Sequence, residues 1–172
     1  MEFKTTYVLK FPCELTWNTM QERLAEVAAL NEEIDYMLIK EKHTTVEEIH
    51  ITSEWKASPA LPGFVMDYIK PEYLVWTDSA IWNNKTKICH WKITPHAFPD
   101  SMQCSGRTHF ESAMGGSGTK ITFQGSLHAS AGNSSAPLNG IVMKALEVIV
   151  SKIIPNNFTK TAKLIGEFLE KQ

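Results

Sequence analysis

Few side chains in this sequence are of a type and spacing that could do chemistry. His50, His90, His109 and His128 lie in stretches of alternating character and fall on the polar side of each. An imidazole there is solvated and idle. Cys13, Cys89 and Cys104 form no C-x-x-C pair, and combining Cys89 and Cys104 with His90 or His96 reproduces no metal-ligand spacing. Cys89 and Cys104 are expected as buried thiols near each other on adjacent strands. The run Gly115-Gly116-Ser117-Gly118-Thr119-Lys120 has the glycine content of a phosphate loop. It lacks the Gly-Lys-Ser/Thr ending and has strand patterns on both sides, so it is expected to be a hairpin turn. Acid–base work in a cavity needs a buried titratable group. Arg107, Glu111, Glu47 and Glu48 fall outward or at strand ends, which leaves the hydroxyls of Tyr7 and Tyr36. No Ser-His-Asp or Cys-His arrangement can be built, so no catalytic residue, metal or cofactor is assigned.

The elements that position these residues follow from length and pattern. The chain has 172 residues, 43% apolar and 21% charged, with a net charge of −2. That suits one domain over 1–172, large enough to bury a core without disulfides. The charge argues against a nucleic-acid partner. No signal-peptide pattern opens the chain. The richest apolar stretch, 138–154, is interrupted by Asn139, Gly140, Lys144, Glu147, Ser151 and Lys152, which argues against stable membrane insertion. A cytoplasmic protein, monomeric or weakly dimeric, is the expectation, and the N-x-S/T matches at Asn84, Asn133 and Asn157 then carry no meaning.

Residues 2–11 alternate as a half-buried strand, with Phe3, Thr5, Tyr7, Leu9 and Phe11 on one face. A helix, or two short ones, follows over 14–30. Strands are predicted at 33–42, 44–57, 72–82, 86–95, 101–114 and 119–131. Turn chemistry at Asn83-Asn84, in the 95–100 loop and at 115–118 separates the later ones. A long helix starts near Pro137, continues through a kink at Pro155 and runs to Leu169, with apolar residues on most sides. Sequential strands with short loops make an antiparallel meander, and its apolar face needs a cover. The long helix supplies one.

Alternation assigns the faces. Ile121, Phe123, Gly125 and Leu127 point in, as do Cys104, Gly106, Thr108, Phe110 and Ser112, and Cys89, Trp91 and Ile93. Ser53 and Trp55 point in on the second predicted strand after the helix. Many of these positions are small, which permits curvature and leaves volume. A ligand is expected to occupy that volume, oriented by Ser53, Thr108 or Ser112. In the opposing reading, Trp55, Trp76, Trp91, Phe110 and Met143 plug it. The cavity is assigned to Tyr7, Ser53, Trp55, Trp91, Thr108, Phe110 and Phe123 from the sheet and to Met143 and Leu146 from the helix. Phe64, in an apolar turn, would gate its mouth. The phase of 33–42 and 72–82 is ambiguous, so Tyr36 and Trp76 join on weaker grounds.

This order of a strand, short helices, a six-strand meander and a long terminal helix resembles the START-like, or Bet v 1-like, helix-grip superfamily, and does so from Phe3 to Leu169. It is most similar to bacterial members of the polyketide cyclase and lipid-transport group (SRPBCC). The resemblance is one of architecture and not of motif. In the plant-allergen branch the glycine-rich loop comes earlier in the sheet, whereas here it joins the last two strands. The resemblance implies an α+β fold with about seven antiparallel strands curved around the C-terminal helix. It also implies a hydrophobic ligand, such as a lipid, sterol-like or polyketide molecule, held between them. The expected function is binding or transport of that ligand. The alternatives are a cyclase or hydrolase acting on it, and an interaction domain like the chaperone-activating relatives.

Overall fold

A computed structural model describes residues 1–58, 74–97, 99–100, 102–129 and 154–172. Seven strands form one antiparallel sheet: β1 (Glu2–Leu9), β2 (Ile34–Thr44), β3 (Glu48–Ala57), β4 (Val75–Asn83), β5 (Ile88–Pro95), β6 (Met102–Ala113) and β7 (Gly118–Ala129). Helices α1 (Cys13–Glu22) and α2 (Leu24–Ala28) follow β1, and α3 (Ile154–Glu170) ends the chain. The strand order is β1-β7-β6-β5-β4-β3-β2, a meander from β2 to β7 with the first strand added beside the last.

The turns are made by the residues whose chemistry suits them. Asn83 Oδ1 accepts from the backbone N–H groups of Lys85 and Thr86, a side chain standing in for a turn carbonyl. Thr45 Oγ1 and Glu48 exchange two hydrogen bonds across the β2–β3 turn. Between β6 and β7, Gly115 and Gly116 take φ of 65° and 99°, conformations that glycine adopts without a Cβ penalty. The glycine-rich run is therefore a hairpin turn, as its flanking patterns predict.

Period-two burial holds along β1, where Phe3, Thr5, Tyr7 and Leu9 are more covered than their neighbours. One end of the concave face is closed by α1. Its Trp17, fully buried, meets Trp82 and Phe110 edge-on at 5.1 Å each. Helix α3 packs on β1 and against α1 and α2. Its buried residues Ala162, Ile165, Gly166, Phe168 and Leu169 recur at helical spacing. Gly166 permits the close approach, since a Cβ there would stand 3.1 Å from Leu9 Cδ2. The stretch 130–153, which holds most of the apolar helix read from the sequence, lies outside the described residues, as do Phe64, Met143 and Leu146.

The register corrects two expectations. Cys89 pairs with Thr108 and Cys104 with Ile93. The two thiols are therefore four residues apart along the ladder, roughly 13 Å, and not side by side. Ser112 keeps its inward parity but is exposed beyond the covered part of β6, so it orients nothing.

Candidate functional site

The concave face can be followed as rows of cross-strand partners. One row runs Ile93–Cys104–Leu127 and continues on the other side of Ile93 through Asp78 to Ser53. A second pairs Trp55 with Trp76. A third runs Ile51–Ala80–Trp91–Gly106–Gly125–Phe3.

The β5–β7 half is filled with rings. Trp91 stacks on Phe123 at 4.8 Å and on Phe158 of α3 at 5.8 Å, with Phe3 alongside at 6.3 Å. Its Nε1 donates to Thr108 Oγ1 at 3.2 Å. Gly106 and Gly125 are the bed for this indole: a Cβ at either would meet Trp91 ring atoms at 2.5 and 2.6 Å. The room that small residues provide here is thus taken up by the protein itself. Phe110 belongs to the Trp17–Trp82 cluster, and Tyr7 lies half-buried opposite Ile121.

The β3–β4 half differs in character. Trp55 and Trp76 stack at 6.1 Å with 10° between planes. Trp55 Nε1 donates to Ser53 Oγ at 2.9 Å, and Ser53 is 1% exposed. Beside them stands Asp78, which the sequence reading missed. Its Oδ1 is sealed from solvent and has no hydrogen-bond partner. Burial pushes its carboxyl up to about 7 from 3.8, because desolvation disfavours the charged form. Burial first and Asp78 second also raise the thiols of Cys89 and Cys104, the latter to about 11. The other buried orphan on β4 is Trp82 Nε1, held in the α1 cluster.

Tyr36 requires a correction. A register shift between Ile34 and Tyr36 turns it to the outer face, where it pairs with Lys56 and donates to Glu54 Oε1 at 3.2 Å. A bulge displaces the alternation by one residue, so Tyr36 is not part of the concave face. Trp76, placed on similarly weak grounds, does lie there.

The outer face carries a depression of about 750 Å3 behind the glycine pair, edged by Glu2, Lys4, His90, Arg107 and Gln124. The Gln124 carboxamide, turned to present its oxygen, accepts from Arg107 at 3.2 and 3.3 Å. Among the described residues no cluster of His, Cys, Asp and Glu could hold a metal ion. No described helix is long and apolar enough to cross a membrane.

No family model matches the chain, and no curated protein matches it by sequence. Solved structures do. The Zhui aromatase/cyclase from Streptomyces sp. R1128 superposes with a TM-score of 0.71 over 97% of this chain and 92% of that one, at 14% identity. Ara h 8.0201 gives 0.59 over 100% and 99%, at 15% identity. Norcoclaurine synthase from Thalictrum flavum, solved in complex with dopamine and hydroxybenzaldehyde, gives 0.65 over 100% and 87%, at 8% identity. The chain has the Bet v 1-like helix-grip fold. Among the described residues the concave face carries two separate polar positions, the Ser53–Asp78 pair on β3 and β4 and Thr108 on β6, the latter bonded to Trp91.

Proposed function

We propose that the protein binds a hydrophobic small molecule against the concave face of its sheet, on the β3–β4 side. The observation that carries this reading is the contrast between the two halves of that face. The β5–β7 half is filled by the stack of Trp91, Phe123, Phe3 and Phe158. The β3–β4 half offers a flat indole pair with a buried hydroxyl and a buried carboxyl beside it. An apolar wall with a few convergent polar groups is the usual make-up of a small-molecule site. The fold supports the same reading, since its neighbours include a structure solved with two small aromatic compounds. Phe64 as gate and Met143 and Leu146 as helix-side walls belong to this proposal. Native mass spectrometry of the protein purified from its natural source tests it. A stoichiometric small-molecule adduct is expected; protein that is always free of adduct, and whose tryptophan emission is unchanged by an anilinonaphthalene dye, would overturn it.

A second reading, that the ligand is a substrate for cyclase-type chemistry, is favoured by Asp78. A carboxyl that titrates near neutrality can take up and return a proton in that range. The aromatase/cyclase neighbour is consistent with it. Turnover of an added polyketide-like substrate that disappears in Asp78→Asn would support this reading, and undiminished turnover would exclude Asp78 from the chemistry.

A further inference from the structure

We propose that the bound molecule carries a ring hydroxyl, and that this hydroxyl is clamped between Asp78 Oδ1 and Ser53 Oγ. The inference rests on the small-molecule reading above and names the chemical class it takes. It starts from Oδ1, which is buried and has no partner. Folded proteins satisfy nearly all such atoms, so an orphan needs an explanation. Position 78 sits on the apolar side of β4 between Trp76 and Ala80, where an apolar residue would fill the space without that cost. A ligand donor resolves the conflict.

The count of hydrogen bonds selects the donor. Ser53 is the cross-strand partner of Asp78. Its oxygen already accepts from Trp55 Nε1, which leaves its hydroxyl proton to give. With the carboxyl proton carried on Oδ2, the sealed Oδ1 is left as an acceptor and the Ser53 hydroxyl as a donor. A hydroxyl, which donates once and accepts, matches that set. An ammonium brings three donors and would leave two of them buried without acceptors. The adjoining Trp55–Trp76 stack, with planes 10° apart, offers a flat surface to the ring that bears the hydroxyl.

The test compares 2-naphthol with 2-methylnaphthalene, probes of similar size that differ in the hydroxyl, by titration of tryptophan fluorescence. Wild-type protein is expected to bind 2-naphthol about tenfold more tightly, the effect of one well-made buried hydrogen bond. In Asp78→Leu the ratio falls to about one while 2-methylnaphthalene still binds, and Ser53→Ala lowers it part of the way. An independent reading on unmodified protein is the Asp78 carboxyl carbon resonance, which shifts with 2-naphthol and not with 2-methylnaphthalene. If both probes bind but with equal affinity, or with a ratio that Asp78→Leu leaves unchanged, the clamp is wrong and the small-molecule reading survives. If neither probe binds wild-type protein, that reading fails and takes the clamp with it.

Discussion

The indole of Trp91 lies where a side chain at Gly106 would have to stand: a Cβ built on Gly106 comes 2.5 Å from Trp91 Cζ2 and 2.2 Å from the backbone oxygen of Gln124. The second contact is with main chain and cannot be relieved by a rotamer change. Gly106→Ala is therefore expected to cost about 3 kcal/mol or more. Gly116→Ala, at positive φ but in open space, should cost about 1 kcal/mol through its backbone alone. Urea midpoints of the two variants check the difference, and equal midpoints would contradict the stacking account.

The carboxyl of Asp78 gives the fold a characteristic response to pH. Its folded-state pKa is raised, from 3.8 to about 7, so between these values the folded state holds the proton more tightly than the unfolded chain. Stability from this group is complete below about pH 4 and falls as pH rises through 7. A shift of this size is worth roughly 4 kcal/mol at full burial. The residue keeps some exposed surface, so about 2 kcal/mol is expected. The thiols of Cys89 and Cys104, the titratable neighbours that sense it, stay protonated throughout this range. Asp78→Asn should flatten the pH 4–8 stability profile and exceed wild type at pH 8. A profile identical to wild type would refute the assignment.

Asn84 holds α1 to the sheet through one atom. Its Oδ1 accepts from Trp17 Nε1 and from Gln21 Nε2, each at 3.0 Å, and both donor residues are buried. Asn84→Ala leaves two donors without an acceptor, and a loss of about 2–3 kcal/mol is expected from chemical denaturation. A loss under 0.5 kcal/mol would mean that water replaces the amide.

Thr108→Val keeps the shape of the side chain and removes the acceptor for Trp91 Nε1. A cost of about 1 kcal/mol is expected, with a blue-shifted tryptophan emission. An unchanged spectrum would show that the indole nitrogen finds another partner.

The sheet was largely legible because β1, β3, β5, β6 and β7 each have one polar and one apolar parity. Strand β4 was harder. Val75 and Ile81 compete with Trp76, Ala80 and Trp82 for the inward side, and Asp78 falls in the same parity as the tryptophans. A charged residue reads as outward by default, so the most informative carboxyl in the chain was overlooked. The parity of the two tryptophans with Ala80 was the available signal. In β2 the bulge after Ile34 reverses the alternation, and period-two reasoning cannot see an inserted residue. Tyr36 went to the wrong face for that reason. The small residues at 106 and 125 were recognised, but their meaning depends on where the Trp91 ring lies, which no local pattern encodes.

The pairing of β1 with β7, from Glu2 opposite Ser126 to Leu9 opposite Thr119, also bears on biosynthesis. Of the strands of this sheet, the earliest synthesised pairs with the latest. At roughly 5–20 residues per second, β1 waits several seconds or more with its ladder edge unsatisfied, while β2 to β6 can zip together behind it. Moving β1 to follow β7 in a circular permutant would shorten that wait, and protection of β1 from protease sooner after its synthesis, in arrested nascent chains, would reveal it.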